Sequence, residues 1–315
     1  MTALQWGARP PGWIAACLAL LACGNGAADA TRADAAAEDA PLDRVLSVDA
    51  ADAPGDSSVV ASSDAGGDAL VESSTVADAG PPQAMAIPMY VDPSASAASW
   101  TQVTSAAPGV SLVVANPDSG PGPAAQAQYT QTIAAAHSAG QTIVGYVHTS
   151  YGARPIAQVE ADVDAWYSFY PAIDGVFSDE TSTDATTVAT YYQPLFEYVK
   201  SKSGAHIVVI NPGTMIDESF MQVADVVVTF EDTYANYTGN AYPALPAWVA
   251  GYPRWRFWHL VLSAASVTDM QDAVNLARER NAGYVFVTDQ PPASAYQQIP
   301  TGAYWQAELA AIQAP

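Results

Sequence analysis

The sequence predicts an α/β protein whose main domain is a (β/α)₈ TIM barrel, preceded by a signal peptide and a disordered linker. Three observations lead to this prediction. Eight short runs rich in β-branched and aromatic residues follow residue 84, helix-period segments separate most of them, and the stretch of roughly 230 residues suits a single domain of this kind. Such alternation is typical of βα units around a parallel sheet.

Residues 1–22 have the pattern of an export signal. Arg9 supplies a positive charge, and the apolar run Trp13–Ala22 is too short to span a bilayer. The end of this run, LLAC, resembles the bacterial lipobox, in which the cysteine is lipidated. We therefore expect an exported lipoprotein acylated at Cys23, held at the outer membrane or cell surface, with membrane contact through this lipid only. A cleaved secretory peptide and a secreted protein are the alternative.

Residues 23–84 form a linker of low complexity. Between Gly24 and Ala84, Arg32 and Arg44 stand against twelve Asp and Glu residues. Mutual repulsion and a lack of aromatic residues keep such a segment extended, so we expect a disordered tether. Cys17 lies in the signal and Cys23 in the lipobox, which leaves no cysteine for a disulfide or for thiol catalysis.

Residues 85–315 form the barrel domain. The predicted strands are Ala86–Val91, Val110–Ala115, Thr142–Val147, Ile173–Ser178, His206–Ile210, Asp225–Phe230, Arg256–Leu262 and Tyr284–Thr288. The predicted helices are Gln126–Ser138, Ile156–Tyr170, Thr187–Lys202 and Thr268–Asn281. Eight repeats favour a closed barrel. An open doubly wound sheet is the structural alternative.

Charge and motifs limit the partners. The net charge is −22, and the barrel domain has only seven Lys and Arg residues, which argues against a nucleic-acid partner. No glycine-rich fingerprint follows the first strand, so we expect no dinucleotide and no other cofactor. A neutral or cationic substrate fits this charge better, and an acidic balance that merely keeps an extracellular protein soluble is the alternative. We expect the protein to act as a monomer.

Polar residues follow the strands, where TIM barrels carry their active sites. The residues of interest there are Asp92, Asn116, Asp118, His148, Tyr151, Asp179, Glu180, Asn211, Glu231, Asp232, Ser263 and Asp289. For Asp92 and Asn116, each followed by proline, a turn is an equally good interpretation.

Three carboxylates stand out because no basic residue adjoins them. Asp179 and Glu180 follow the fourth strand, and Glu231 follows the sixth. Glycoside hydrolysis needs one carboxyl group to protonate the leaving oxygen and another to act as nucleophile or to activate water. A divalent-cation site or plain surface acidity is the alternative. The histidines have no His or Cys partners typical of a metal site, and we interpret His259 as buried and structural.

Several motifs together resemble the spherulin 4-like proteins, glycoside hydrolase family 135. They are the first strand with Pro88, Tyr90 and Pro93, the loop Asn116–Pro121, the strands containing Gly145–Val147 and Gly175–Glu180, the run Asn211–Gly213, and Phe230–Glu231. The resemblance implies a (β/α)₈ endo-hydrolase of α-1,4-linked N-acetylgalactosamine exopolysaccharides. It also implies Asp179 as nucleophile, Glu231 as acid/base and Glu180 as an essential neighbour. Ser263 departs from the family pattern, where we expect a histidine.

Aromatic residues crowd the long connection after the sixth strand, and we expect two or three of them to be solvent-facing platforms for sugars. Packing of the loop on the barrel is the alternative. The residues assigned to substrate binding are Asp92, Asn116, His148, Tyr151, Asn211, Tyr234, Tyr237, Trp248 and Asp289. Two further functions stay open, namely an inactive carbohydrate-binding barrel and a metal-dependent hydrolase of another exopolymer.

Overall fold

A computed structural model describes residues 82–240 and 242–314. The predicted signal peptide, the lipidation site Cys23 and nearly all of the linker lie outside the described residues. Eight parallel strands form one closed barrel in chain order. They are β1 Ala84–Met89, β2 Val110–Ala115, β3 Thr142–His148, β4 Gly175–Asp179, β5 Ile207–Ile210, β6 Val226–Thr233, β7 Phe257–Leu262 and β8 Tyr284–Val287.

The barrel closes between its last and first strands. Ala84 pairs with Tyr284, and Met85 pairs with Val285, both in parallel register. This pairing confirms the predicted (β/α)₈ class, and the open-sheet alternative is wrong. β1 begins one residue before the boundary that the sequence suggests at Met85.

The helices lie outside the sheet. Those in the described residues are α1 Ala97–Thr104, α2 Ala127–Ser138, α3 Ile156–Phe169, α4 Gln193–Lys202, α5 Tyr234–Thr238, α6 Val267–Glu279 and α7 Gly302–Gln313. The four predicted helices are present, with one π-helical turn ahead of α4. Within residues 82–240 and 242–314, no helix is long and apolar enough to cross a membrane.

Three helices were not predicted, because their apolar patterns are weak. α1 buries Trp100 and Val103 only, and α5 has five residues. α7 buries Trp305, Glu308 and Ile312, and a buried carboxyl group interrupts the pattern that marks a helix in sequence.

Packing of α3 fixes the part of β3 that leads to its carboxyl end. A side chain at Gly145 would place its Cβ only 2.3 Å from the Trp166 ring, so glycine lets this indole lie against the strand. The Trp166 Nε1–H donates to the Tyr146 carbonyl at 2.8 Å. The strand therefore holds Tyr146 and His148 in a defined register at the mouth of the barrel.

Three strands end later than predicted. β6 continues to Thr233, three residues beyond the expected end, β4 ends at Asp179 rather than Ser178, and β3 ends at His148 rather than Val147. Asp179 and Glu231 are thus strand residues, whose side-chain directions are set by the pleat of the sheet. A site on strands is held more rigidly than a site on loops.

Candidate active site

Asp179 and Glu231 meet at the carboxyl end of the barrel through one amide. The Asn211 Nδ2 group donates to Asp179 Oδ1 at 2.9 Å and to Glu231 Oε2 at 2.7 Å. The backbone N–H of Gly213 donates to Asn211 Oδ1 at 2.9 Å, which fixes the orientation of the amide. Because both carboxylate oxygens bond the same nitrogen, they lie no more than about 5.6 Å apart.

A tyrosine binds the other oxygen of each carboxyl group. Tyr146, in β3, donates its hydroxyl to Asp179 Oδ2 at 2.8 Å. Tyr296, in the connection between β8 and α7, donates to Glu231 Oε1 at 2.7 Å. Tyr90 follows β1 and lies between these two tyrosines, with its ring centroid 5.6 Å from that of Tyr146 and 5.4 Å from that of Tyr296. All four oxygens of the carboxyl pair are therefore held.

The surroundings of the pair disfavour two negative charges. Loss of water around Asp179 raises its pKa, and the nearby charge of Glu231 raises it further. Burial also raises the pKa of Glu231. Each group is partly accessible from the mouth although protein surrounds most of it. Two acids this close share a proton over a wide pH range.

Hydrogen bonds distinguish the two acids. The Asp179 carboxylate accepts from Tyr146, Asn211 and the backbone N–H of Glu180, and each bond lowers its pKa. Glu231 accepts from Asn211 and Tyr296 only. Since donors stabilise the charged form, these bonds offset part of the effect of burial, with three donors at Asp179 and two at Glu231.

Glu180 adopts a backbone conformation that is uncommon for its residue type. Its φ is 52°, and its carbonyl accepts from the backbone N–H of Tyr151 at 2.7 Å and from the Thr149 hydroxyl at 2.8 Å. The carboxylate lies 3.7 Å from His148 Nδ1, and both side chains are partly exposed. These bonds join the turn after β4 to the turn after β3. Residues other than glycine with a positive φ, such as Glu180, are concentrated at functional sites.

Tyr151 stands at the rim of the mouth. Its side chain is 52% exposed, and its own φ is 57°. The pKa of its hydroxyl is raised by partial burial and by the charges of Glu180, Asp179 and Glu231. Tyr151 and His148 are therefore two predicted substrate-binding residues that the structure places beside the carboxyl groups, and Asn211 is a third.

Asp92, Asn116 and Asp289 organise their own turns. Asp92 Oδ1 accepts from the backbone N–H of Ser94 at 2.7 Å, and Asn116 Oδ1 accepts from that of Gly120 at 2.9 Å. Asp289 is exposed and bonds Gln290 at 2.9 Å. The turn interpretation of Asp92 and Asn116 fits these contacts, and none of the three is held against the carboxyl pair by a hydrogen bond found in the described residues.

Asp232, beside Glu231, has a structural role. Its two oxygens accept from the backbone N–H of Thr233 at 2.6 Å and from Asn236 Nδ2 at 2.7 Å, at the start of α5. Among residues 82–240 and 242–314, no group of three or more His, Cys, Asp or Glu residues is arranged to hold a metal ion.

The aromatic connection after β6 does not form the expected platform. Tyr237 has no exposed surface, and its hydroxyl bonds His259 Nδ1 at 2.7 Å. Tyr234 donates to Asp272 on α6 at 2.9 Å. The assignment of Tyr237 to substrate binding is therefore wrong, because α5 turns this ring inward against the sheet.

Trp248 lies at the opposite end of the barrel. Its ring contacts Tyr252 and Phe257, the first residue of β7, with centroid distances of 5.8 and 6.0 Å. Residues at the amino ends of parallel strands lie far from the carboxyl ends, where Asp179 and Glu231 are found. The assignment of Trp248 to the site is therefore wrong. The connection carries the chain back along the barrel to the amino end of β7.

His259 is buried and structural, as predicted. Its Nδ1 bonds the Tyr237 hydroxyl, its Nε2 lies 3.1 Å from the Thr229 hydroxyl, and it has no exposed surface. Burial, followed by the nearby charge of Arg280, lowers the pKa of His259 to about 3. The imidazole is thus neutral in the folded protein.

Sequence reasoning missed Tyr146, Tyr296 and Tyr90 as parts of the site. A signal existed for Tyr146, because alternation along β3 places it on the same face as His148. Tyr296 lies in an irregular connection, and no periodicity relates it to Glu231, which is 65 positions away in the chain.

Comparison with known proteins shows the family of the chain. A family model described as spherulation-specific family 4 matches residues 84–312. Spherulin-4 of Physarum polycephalum is 35% identical over 223 residues, which cover 66% of this chain and 64% of that protein. The chain thus spans somewhat less than two thirds of the length of this curated relative.

Among solved structures, Sph3 of Aspergillus clavatus, crystallised in complex with GalNAc, has a similar fold. The TM-score is 0.62 at 29% sequence identity, and the match covers 74% of this chain and 98% of that chain. The family model spans the barrel from β1 to the end of α7, including both carboxyl groups and the amide that joins them. From this match and from the shared barrel, we conclude that the chain belongs to the spherulin 4 family.

Proposed function

We propose that the protein is a glycoside hydrolase that cleaves an α-1,4-linked N-acetylgalactosamine or galactosamine exopolysaccharide. The observation that carries this proposal is the pair of enclosed carboxyl groups, Asp179 and Glu231, joined by Asn211 at the mouth of the barrel. The sugar is proposed from family membership and from the GalNAc bound to Sph3. No cofactor takes part in the proposed reaction.

The spacing supports a reaction with retention of configuration. Retaining glycosidases hold their two carboxyl groups about 5 to 5.5 Å apart, whereas inverting enzymes need more than about 6.5 Å to admit water between them. The shared Asn211 amide keeps Asp179 Oδ1 and Glu231 Oε2 no more than about 5.6 Å apart, which is below the separation that inverting enzymes need. Asp179 is therefore proposed as nucleophile and Glu231 as acid/base.

In the first step an Asp179 oxygen attacks the anomeric carbon. The bond from that carbon to the glycosidic oxygen breaks, and the oxygen takes the bonding electron pair and the proton of Glu231. In the second step water attacks the same carbon, its proton passes to Glu231, and the bond to Asp179 breaks. The product sugar is released, and both carboxyl groups return to their starting states.

The rest of the mouth has supporting roles in this proposal. Tyr151, exposed at the rim beside the carboxyl groups, offers an aromatic face to a sugar ring. Glu180 and His148, 3.7 Å apart and both partly exposed, offer polar groups to its hydroxyls.

Release of reducing ends tests the proposal. The purified chain is incubated with galactosaminogalactan alongside Asp179→Asn and Glu231→Gln, and we expect release by the parent only. A folded parent that binds the polysaccharide without cleaving it would leave an inactive carbohydrate-binding barrel. Activity that is lost on EDTA treatment and restored by a divalent cation would instead indicate the metal-dependent hydrolase.

We also propose that the protein is exported and anchored through acylated Cys23, with residues 23–84 as its tether. Labelling of cells with an alkyne-bearing fatty acid is expected to tag the parent and not Cys23→Ala. Release of unlabelled parent into the medium would favour the secreted alternative.

A further inference from the structure

The two bonds to Glu231 differ in what they permit. Asn211 Nδ2 can only donate, and its orientation is fixed by the bond from Gly213, so Glu231 Oε2 must accept whatever the protonation state. The transferable proton therefore belongs on Oε1, the oxygen that lies 2.7 Å from the Tyr296 hydroxyl. A phenol can donate to a carboxylate or accept from a carboxylic acid.

We propose that Tyr296 is a positioning residue that keeps the proton of Glu231 on Oε1 and reverses its own hydrogen bond as Glu231 changes between acid and base. This inference rests on the proposed glycosidase function. When Glu231 is ionised, Tyr296 donates to Oε1. When Glu231 is protonated and at rest, Tyr296 accepts from Oε1–H. As the leaving group departs, this proton passes from Oε1 to the glycosidic oxygen, and the Tyr296 hydroxyl turns to donate to the ionised Oε1.

The place of Tyr296 in the fold suits this role. Its backbone carbonyl accepts from the Tyr90 N–H at 3.2 Å, and its ring packs edge-on against Tyr90 and near Phe286 of β8. These contacts fix the ring while its hydroxyl remains free to rotate. Burial and the adjacent Glu231 raise the pKa of the Tyr296 phenol, so that it stays neutral and keeps its proton to donate.

The corresponding tyrosine on the other acid makes a matched comparison. Tyr146 donates to Asp179 Oδ2, and a nucleophile that stays ionised in the resting state needs only a donor. Tyr296→Phe should therefore impair proton transfer to the leaving group, whereas Tyr146→Phe should impair attack by Asp179. Each variant removes one phenolic oxygen, which bonds Glu231 in the case of Tyr296 and Asp179 in the case of Tyr146.

Leaving-group dependence separates the two roles. Oligosaccharide glycosides of 2,4-dinitrophenol need little proton assistance, whereas those of phenol need it. For Tyr296→Phe we expect kcat/KM to fall about 10²-fold on the phenyl glycoside and less than threefold on the dinitrophenyl glycoside. For Tyr146→Phe we expect similar losses on both. Tyr304→Phe, which removes a hydroxyl bonded to the Ala264 carbonyl, serves as the control for loss of a phenolic bond elsewhere.

The pH profile provides a second readout. The bond from Tyr296 lowers the pKa of Glu231, so its removal should move the alkaline limb of kcat/KM to higher pH. An equal loss on both glycosides with an unmoved alkaline limb would overturn the role of Tyr296. If the parent itself releases no sugar from either glycoside or from the polymer, the proposed function fails instead, and the two failures are thus distinguishable.

Discussion

Two aromatic regions of the barrel contain similar residues and serve different ends. At the mouth, Tyr146 and Tyr296 donate to the carboxyl pair. On the flank, Tyr237 packs against Phe230 and His259, and Arg280 lies over its ring at 4.2 Å. At the mouth the tyrosines bond two acids that share one amide, whereas Tyr237 on the flank bonds a buried neutral histidine. An abundance of aromatic residues therefore locates a site only when the charges beside them are also considered.

The largest difference between the regions should appear on removing charge at the mouth. Asp179→Asn and Glu231→Gln should each lower kcat/KM about 10³-fold or more. Both should leave the protein as stable as the parent or more stable at neutral pH, because each replaces one of two adjacent acids whose surroundings disfavour two negative charges. Activity on galactosaminogalactan and urea unfolding check the two effects. A large loss of stability with unchanged specific activity would assign the pair to folding instead.

On the flank, truncation of an aromatic side chain should have the reverse effect, with a loss of stability and no loss of activity. Tyr237→Ala removes a fully buried ring and should lower the free energy of unfolding by about 3 to 5 kcal/mol, with specific activity unchanged in the folded fraction. Tyr234→Ala, whose ring is only partly buried, is the matched control and should cost about 1 kcal/mol or less. Urea unfolding measures both. If the two variants lost equal stability, the enclosed position of Tyr237 would be contradicted.

The two regions should also respond to pH in opposite directions. Burial raises the pKa of Asp179 and Glu231, so the folded state holds protons more tightly than the unfolded state. Their contribution to stability is present below about pH 4 and is lost as the pH rises through the raised values. Burial lowers the pKa of His259 to about 3, so its contribution is present above about pH 6.5 and is lost as the pH falls towards 3.

Two variants should each flatten one limb of the dependence of stability on pH. The slope is at most about 1.4 kcal/mol per pH unit for each proton. Asp179→Asn should flatten the alkaline decline, and His259→Gln the acidic one, as measured by urea midpoints from acid to alkaline pH. Glu308, buried with its pKa raised to about 8, contributes to the alkaline decline in every variant that retains it. Exchange of the two effects between the variants would refute this account.

The smallest effect concerns the rim. Tyr151→Ala should raise KM for the polysaccharide about three- to tenfold and change stability by no more than about 0.5 kcal/mol, because its ring is largely exposed. Trp255→Ala is the matched control, since Trp255 is 40% exposed and lies just before β7, at the other end of the barrel. An equal rise in KM for both variants would indicate that the polymer contacts the whole barrel rather than its mouth.

Much of the fold could be predicted because its signals are local. Most of each strand is a run of buried, mainly apolar residues, and α2, α3 and α6 repeat apolar residues at helical spacing. The strand ends likewise located Asp179, Asn211 and Glu231 together, since parallel strands end on the same side of a barrel.

The errors arose where distant parts of the chain decide the outcome. Tyr237 and Trp248 follow the same strand as Glu231, yet α5 buries the first and the returning chain carries the second to the opposite end. Tyr296 joins the site only through the connection after β8. Position along a strand is encoded nearby, whereas the path of a long connection depends on what it packs against.

The amide at position 211 has an evolutionary consequence. One nitrogen bonds both acids and limits the distance between them. Neither acid can move away from the other without losing its hydrogen bond to the Asn211 amide. A descendant that inverted configuration would need a wider gap, and substitutions at the acids alone would leave the amide holding them close. Under the proposed mechanism, the stereochemical outcome would thus be constrained by a residue that forms no bond to the sugar in either step, and Asn211 would have to change first.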